Sequence, residues 1–173
     1  MPPVLHDRFV RRVVFPVLLI GPLLSPVVSR SQSLTIDQMT RRASVIVEGQ
    51  VASVTADWNP AHNQIHTTVH LQSVVYYKGT GAGTLDVRLL GGTVGDMTML
   101  VVDQPAFTSN EHVFLFLSPN FDARDVPIVG QFQGKLRVTT NAQGQDVLVG
   151  QKQTFQKNDV ESSIRSIMRS SGQ

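Results

Sequence analysis

Four of the five histidines, those beyond residue 31, a lysine–glycine run and a scatter of carboxylates are the residues of this chain whose types could do chemistry. His62, His66 and His70 recur every four residues, the spacing that would line one helical face and hold a metal ion. The segment carrying them, IHTTVHLQSVVYY (65–77), is instead rich in β-branched and aromatic residues and alternates with period two, so it reads as a strand. On a strand His66 and His70 share a face but lie about 13 Å apart at roughly 3.3 Å per residue, too far for one small ion. His62 falls in a turn and His112 elsewhere, so no metal and no cofactor is expected. KGTGAGT (78–84) has the glycines and lysine of a phosphate loop, but Lys78 precedes the glycines and no helix follows to offer its N-terminus. No G-x-S-x-G marks a nucleophilic serine, and no H-E-x-x-H occurs. Asp57, Asp86, Asp96, Asp103 and Glu111 are candidate acid–base groups, but nothing in the sequence pairs them. The expectation is that this is not an enzyme.

Two loops remain as binding candidates. Trp58 and Asn59 stand at a strand end before Pro60, where a tryptophan either presents a hot spot or caps the core. Gly91, Gly92, Gly95 and Met97 form an unusual loop whose glycines permit positive φ and close backbone approach.

The elements that must position these loops are mostly strands. LTIDQMTRRA (34–43) predicts a short helix with Thr35 as N-cap. Residues 44–57 alternate, and Gly49 inside them predicts a bulge or bend. In 65–77 the expected core face is Ile65, Val69, Leu71, Val75 and Tyr77, with His66 and His70 exposed opposite. Strands follow at 84–90, 98–102, 113–117, 128–133, 135–140 and 146–150; VFLFL (113–117), apolar on both faces, predicts a fully buried central strand. The segment 158–168 has a helical period through Val160, Ile164, Ile167 and Met168, with Asn158 or Asp159 as cap. The fold class is thus mainly β (α+β): a small OB-like, netrin-like antiparallel barrel, closed or half-closed, with a short helix before and a helix after the strands. A two-sheet sandwich is the alternative.

Ahead of the domain, VVFPVLLIGPLL (13–24) is an apolar run of signal h-region length, preceded by arginines and followed by small residues. Residues 1–31 are read as signal peptide and cleavage region, 32–157 as the β-barrel domain, and 158–173 as an amphipathic helix packed on it. Cleavage is expected after Ser29 or Ser31, with the mature start between Arg30 and Ser33. Export to the periplasm or the medium follows, with no membrane attachment afterwards. Beyond residue 31 stand eleven of the fifteen basic and twelve of the thirteen acidic residues. A near-neutral domain with no basic stripe argues against nucleic acid. The chain has no cysteine, which excludes disulfides and thiolate chemistry.

The runs ASVIVEGQVASVTADWN (43–59), IHTTVHLQSVVYYKGT (65–80), LLGGTVGDM (89–97), PAFTSNEHVFLFL (105–117) and VGQFQGKLRV (129–138) resemble an uncharacterised bacterial secreted domain family. Its pattern has a strand A-x-x-V-V-x-G-x-V, a strand V-x-x-V-x-K-G, a G-G loop, P-x-F-x-x-G-E-x-x-L-x-F-L and V-x-G-x-x-Q-G-K-x-x-V. Asn110 departs from it, standing where the pattern has glycine. A more distant similarity is to the netrin-like, OB-type barrels of tissue metalloproteinase inhibitors, where a strand also ends in Lys-Gly, as at Lys78 and Gly79. Those inhibitors chelate zinc through an N-terminal cysteine, a device this chain lacks. The resemblances imply a non-catalytic secreted binding module acting through barrel-end loops, with a secreted or envelope protein as partner. The alternative is an inhibitor or pro-domain-like regulator of a secreted metalloprotease; the third reading is an undetected hydrolase.

Overall fold

The computed structural model describes residues 33–119, 121 and 126–172. The expected signal segment and cleavage site lie outside the described residues. The chain runs α1 (Ile36–Arg42), β1 (Val45–Trp58), β2 (Ile65–Lys78), β3 (Thr84–Leu90), β4 (Gly92–Val94), β5 (Met97–Met99), β6 (His112–Leu117), a 3₁₀ turn (Gln131–Gly134), β7 (Lys135–Thr140), β8 (Asp146–Val149), β9 (Thr154–Gln156) and α2 (Lys157–Ser170). All ladders are antiparallel, in the order β3-β2-β1-β6-β7-β8-β9, with β4–β5 a separate hairpin. The protein is therefore mainly β, a seven-stranded antiparallel sheet with two helices. Among the described residues no ladder joins β3 to β9, so the sheet is open by hydrogen bonding where a barrel was expected.

β6 explains the layering. Phe114 and Phe116 point to one face and Val113, Leu115 and Leu117 to the other, all buried. On the first face they pack with Met39 of α1, Leu136, Leu148, and Val160 and Ile164 of α2. On the second, Val47, Val51, Val69, Leu71, Val87 and Leu89 join them, so side chains of β3 and β6 meet in one cluster although two strands separate them. Register shifts along β1, one of them spanning Gly49, supply the bending this requires. A Cβ at Gly49 would press on the Gln72 carbonyl at 3.2 Å, so the close approach uses the glycine. Each large side chain buried in these layers contributes about 1.5–3 kcal/mol.

The helix ends follow local chemistry. Thr35 caps α1 in a capping box with Gln38. α2 begins one residue before the expected segment, with Gln156 at the cap position and neither Asn158 nor Asp159 capping it. Its buried face, Val160, Ile164 and Ile167, is the predicted one.

Several expectations need correction. Ser73 has φ +53, and beyond it β2 changes face. Val74 and Tyr76 then pack on the β3 side of the sheet, Tyr77 packs with the helices, and Val75 is 55% exposed. The face predicted as one core stripe is thus two half-stripes. His66, expected on the exposed face, is buried. The segment 128–133 is no strand: Gly130 and Gln131 have φ of 63° and 58°, which breaks the extended chain into a 3₁₀ turn, leaving only the bridge Leu117↔Ile128. The glycine loop after β3 forms β4, and β5 ends at Met99, short of residue 102. β9 was not anticipated. Asn110 has φ +67, a left-handed conformation that asparagine tolerates better than most residues, where the resembled pattern has glycine.

Candidate functional site

Gly91 and Gly92 turn the chain out of β3 and over the sheet. Gly91 has φ +93 and donates its N–H to the Ile65 carbonyl at 2.7 Å, while its own carbonyl accepts from Thr67 Oγ1 at 2.7 Å. Gly92, at φ +140, lies so close to β1 and β2 that a Cβ would collide with Thr67 Oγ1 and press on Ala56. These contacts seat the β4–β5 hairpin across the end of the sheet, with Thr93 and Thr98 bonded through their hydroxyls at 2.9 Å.

Between that hairpin, the chain after β5 and the sheet lies a groove of about 340 Å³. Val54, Leu89, Met99, Val101 and Phe107 form its apolar walls, and none of its lining residues is ionisable. Leu100 lines it while remaining 88% exposed, and Val102 and Met97, next in sequence to the lining residues Val101 and Thr98, are 82% and 60% exposed.

The groove wall is held by a charged clamp. Lys135 on β7 donates to both Glu111 carboxylate oxygens at 2.8 Å and to the Ala106 carbonyl, and its ammonium sits 4.4 Å from the Phe107 ring centre. Arg137 Nε adds a 3.3 Å contact to Glu111. Ala106 and Phe107 are groove walls, so the clamp ties the loop to the sheet where the cavity forms.

Of the residues singled out by sequence, Gly91 and Gly92 lie in the groove, Gly95 turns the hairpin at φ +57, and Met97 projects from it. Trp58 pairs with Ile65 at the same end of the sheet but stacks on His62, ring centres 6.1 Å apart, and does not line the groove. Asn59 is taken up by its turn: its side-chain oxygen accepts from the N–H of Asn63 and Gln64. Lys78 donates to the Thr40 carbonyl at the end of α1, and burial pulls its pKa below the ordinary lysine value.

No family model matches the chain. No curated protein matches it either.

Two polar clusters lie elsewhere. On the open face of β1–β3, His70 bridges Asp86 (2.8 Å) and Thr55 Oγ1 (3.3 Å), and Arg88 contacts His66 at 3.1 Å. The order hydroxyl–imidazole–carboxylate is that of an acid–base relay. It lies on a solvent-exposed sheet surface, and none of its members lines the groove. Among the described residues no three His, Asp or Glu side chains are grouped so as to hold a metal.

The second cluster was missed by the sequence reading. Glu48 of β1 is buried and accepts from Tyr77 (2.6 Å) and Lys157 (2.8 Å), with His112 Nε2 at 2.9 Å. Tyr77 also lies 3.1 Å from Glu161; with one proton to give, it serves the nearer Glu48. Burial, the Glu48 hydrogen bond and the Glu48 and Glu161 charges all push the Tyr77 hydroxyl pKa far above its ordinary value. Burial works against the Lys157 ammonium, but the carboxylates of Glu48, Asp146 and Glu161 outweigh it and hold its pKa above the lysine range. The cluster fastens the start of α2 to the sheet. Its sequence signal was one carboxylate inside the apolar run VIVEGQV.

Proposed function

We propose that this is a non-catalytic binding module of an exported protein, taking an apolar, uncharged segment of a protein partner into the groove beneath the β4–β5 hairpin. The observation that carries the reading is the groove of about 340 Å³ without an ionisable wall residue, beside Leu100 at 88% and Val102 at 82% exposure. Acid–base or nucleophilic chemistry needs titratable groups converging on a cavity, and this cavity has none in its walls. A small polar ligand would need several placed donors or charges to orient it; the walls offer hydroxyls and one carboxamide. An extended peptide with an apolar anchor fits both size and lining, and Leu100, Val102 and Met97 add the surrounding contact area. The bent sheet is read as an opened relative of the OB-type barrel, with binding at the loop end as in the resembled proteins. Export follows the signal-like run in residues 13–24.

Peptide display against the immobilised protein tests this. The expected result is enrichment of sequences sharing one or two large apolar residues, with binding lost in a Leu100→Ser/Val102→Ser variant that melts like the parent. No enrichment, or binding indifferent to both substitutions, overturns it.

A further inference from the structure

We propose that the outer edge of β3 pairs, antiparallel and centred on Val87, with the same edge of a second copy of this chain. β3 hydrogen-bonds to β2 on one side and to no strand on the other among the described residues. The alternation of an antiparallel ladder identifies the unused groups. Gly91 donates to the Ile65 carbonyl, and the register continues Leu89↔Thr67, Val87↔Val69 and Leu85↔Leu71. The odd-numbered residues therefore bond inward, and Thr84, Asp86, Arg88 and Leu90 direct their N–H and C=O groups outward. No turn, loop or side-chain hydrogen bond among the described residues reaches those groups. Edges of this kind template strand addition unless proline, a bulge or repelling charge blocks it. β3 contains no proline, its register against β2 is unbroken, and its two charges are opposite in sign.

The spacing of those charges selects the occupant. A two-fold axis through Val87 sets Asp86 opposite Arg88 of the second copy and Arg88 opposite its Asp86. Both belong to the set whose backbone faces outward, so one register exchanges the hydrogen bonds and pairs the charges. Sliding by two residues in one direction opposes Asp86 with Asp86; in the other it opposes Arg88 with Arg88. Directly opposed like charges disfavour both neighbouring registers. His70 and His66 hold the Asp86 and Arg88 side chains on the sheet surface. On the other face the same register sets Leu85 opposite Leu89 and Val87 opposite Val87. Val87 and Leu89 are already buried within each copy, so on that face the two cores are set side by side. The resulting interface is isologous, the common form of homodimer, and is independent of what the groove binds.

Sedimentation velocity of the full chain across a concentration series is the test, with a monomer–dimer equilibrium expected. Asp86→Arg and Arg88→Asp, each opposing like charges twice across the axis, should weaken dimerisation about tenfold. The double variant Asp86→Arg/Arg88→Asp restores opposite pairing and should return to within about threefold of the parent. Because the chain has no cysteine, Val87→Cys reports the register directly: facing residues at a non-hydrogen-bonded position lie about 4.5 Å apart, within disulfide reach. Oxidation should give a covalent dimer, whereas Thr84→Cys, facing Leu90, should not. A monomer at all concentrations, single variants without effect, a double variant that fails to recover, or a persistent dimer that Val87→Cys does not cross-link each overturns the proposal.

Discussion

Replacing Glu48 with alanine should be the most informative single change to stability. The carboxylate is buried and takes charge-assisted or hydroxyl hydrogen bonds from Lys157, Tyr77 and His112 within 2.9 Å. Breaking a buried ion pair from one side costs about 3–5 kcal/mol, because the remaining charge stays desolvated. Three features of the site reduce that figure. Lys157 keeps Asp146 at 3.7 Å, Tyr77 keeps Glu161 at 3.1 Å, and the His112 side chain is half exposed and can rehydrate. The expected loss is therefore about 3 kcal/mol, at the low end of that range. Urea unfolding at neutral pH measures it as a lowered midpoint at constant m. The companion variant Glu48→Leu/Lys157→Met removes both charges and should recover at least about 1 kcal/mol of the deficit, since a buried pair can be replaced by apolar groups at little net cost. A Glu48→Ala loss under about 1 kcal/mol, or a double variant no better than the single, would refute the claim that this cluster is what fastens α2.

Phe114→Ala and Phe116→Ala should each cost about 3–5 kcal/mol in chemical denaturation, both rings being fully buried between the sheet and the helices. Gly92→Ala should cost about 1–3 kcal/mol from overpacking against Thr67, and more than Gly95→Ala, whose Cβ meets open space; equal melting temperatures for the two would contradict the close approach. Tyr77 and Lys157 bind their protons more tightly folded than unfolded, so their stabilisation is intact below about pH 10 and lost as pH rises beyond it, with Lys78, lowered by burial, opposing in part. Urea midpoints should therefore fall between about pH 9 and pH 11, and a Tyr77→Phe variant should show a shallower fall.

The parts of this fold readable from sequence are those set by near neighbours. Thr35 and Gln38 sit three residues apart and form their capping box within one turn. The period of Val160, Ile164 and Ile167 fixes the buried face of α2 wherever the helix packs. VFLFL (113–117) is apolar on alternate and intervening positions alike, the pattern of a strand covered on both sides. Gly49 announces its register shift because few other residues fit that approach. At the candidate site, the consecutive glycines 91 and 92 were legible for the same reason, but the groove they help close was not. Its walls come from β1, β2, β3, the β4–β5 hairpin and the chain between β5 and β6, and its clamp joins Glu111 to Lys135 across the β6–β7 pairing. The face change at Ser73 was equally hidden, since one left-handed residue inverts the meaning of every later alternate position while leaving the pattern of residue types intact. Burial of Glu48 and His66, and the open ends of the sheet at β3 and β9, depend on which strands lie beside which. Local pattern sets each strand's propensity and period. Which strands become neighbours is decided by the collective burial of both faces, a property no single segment carries.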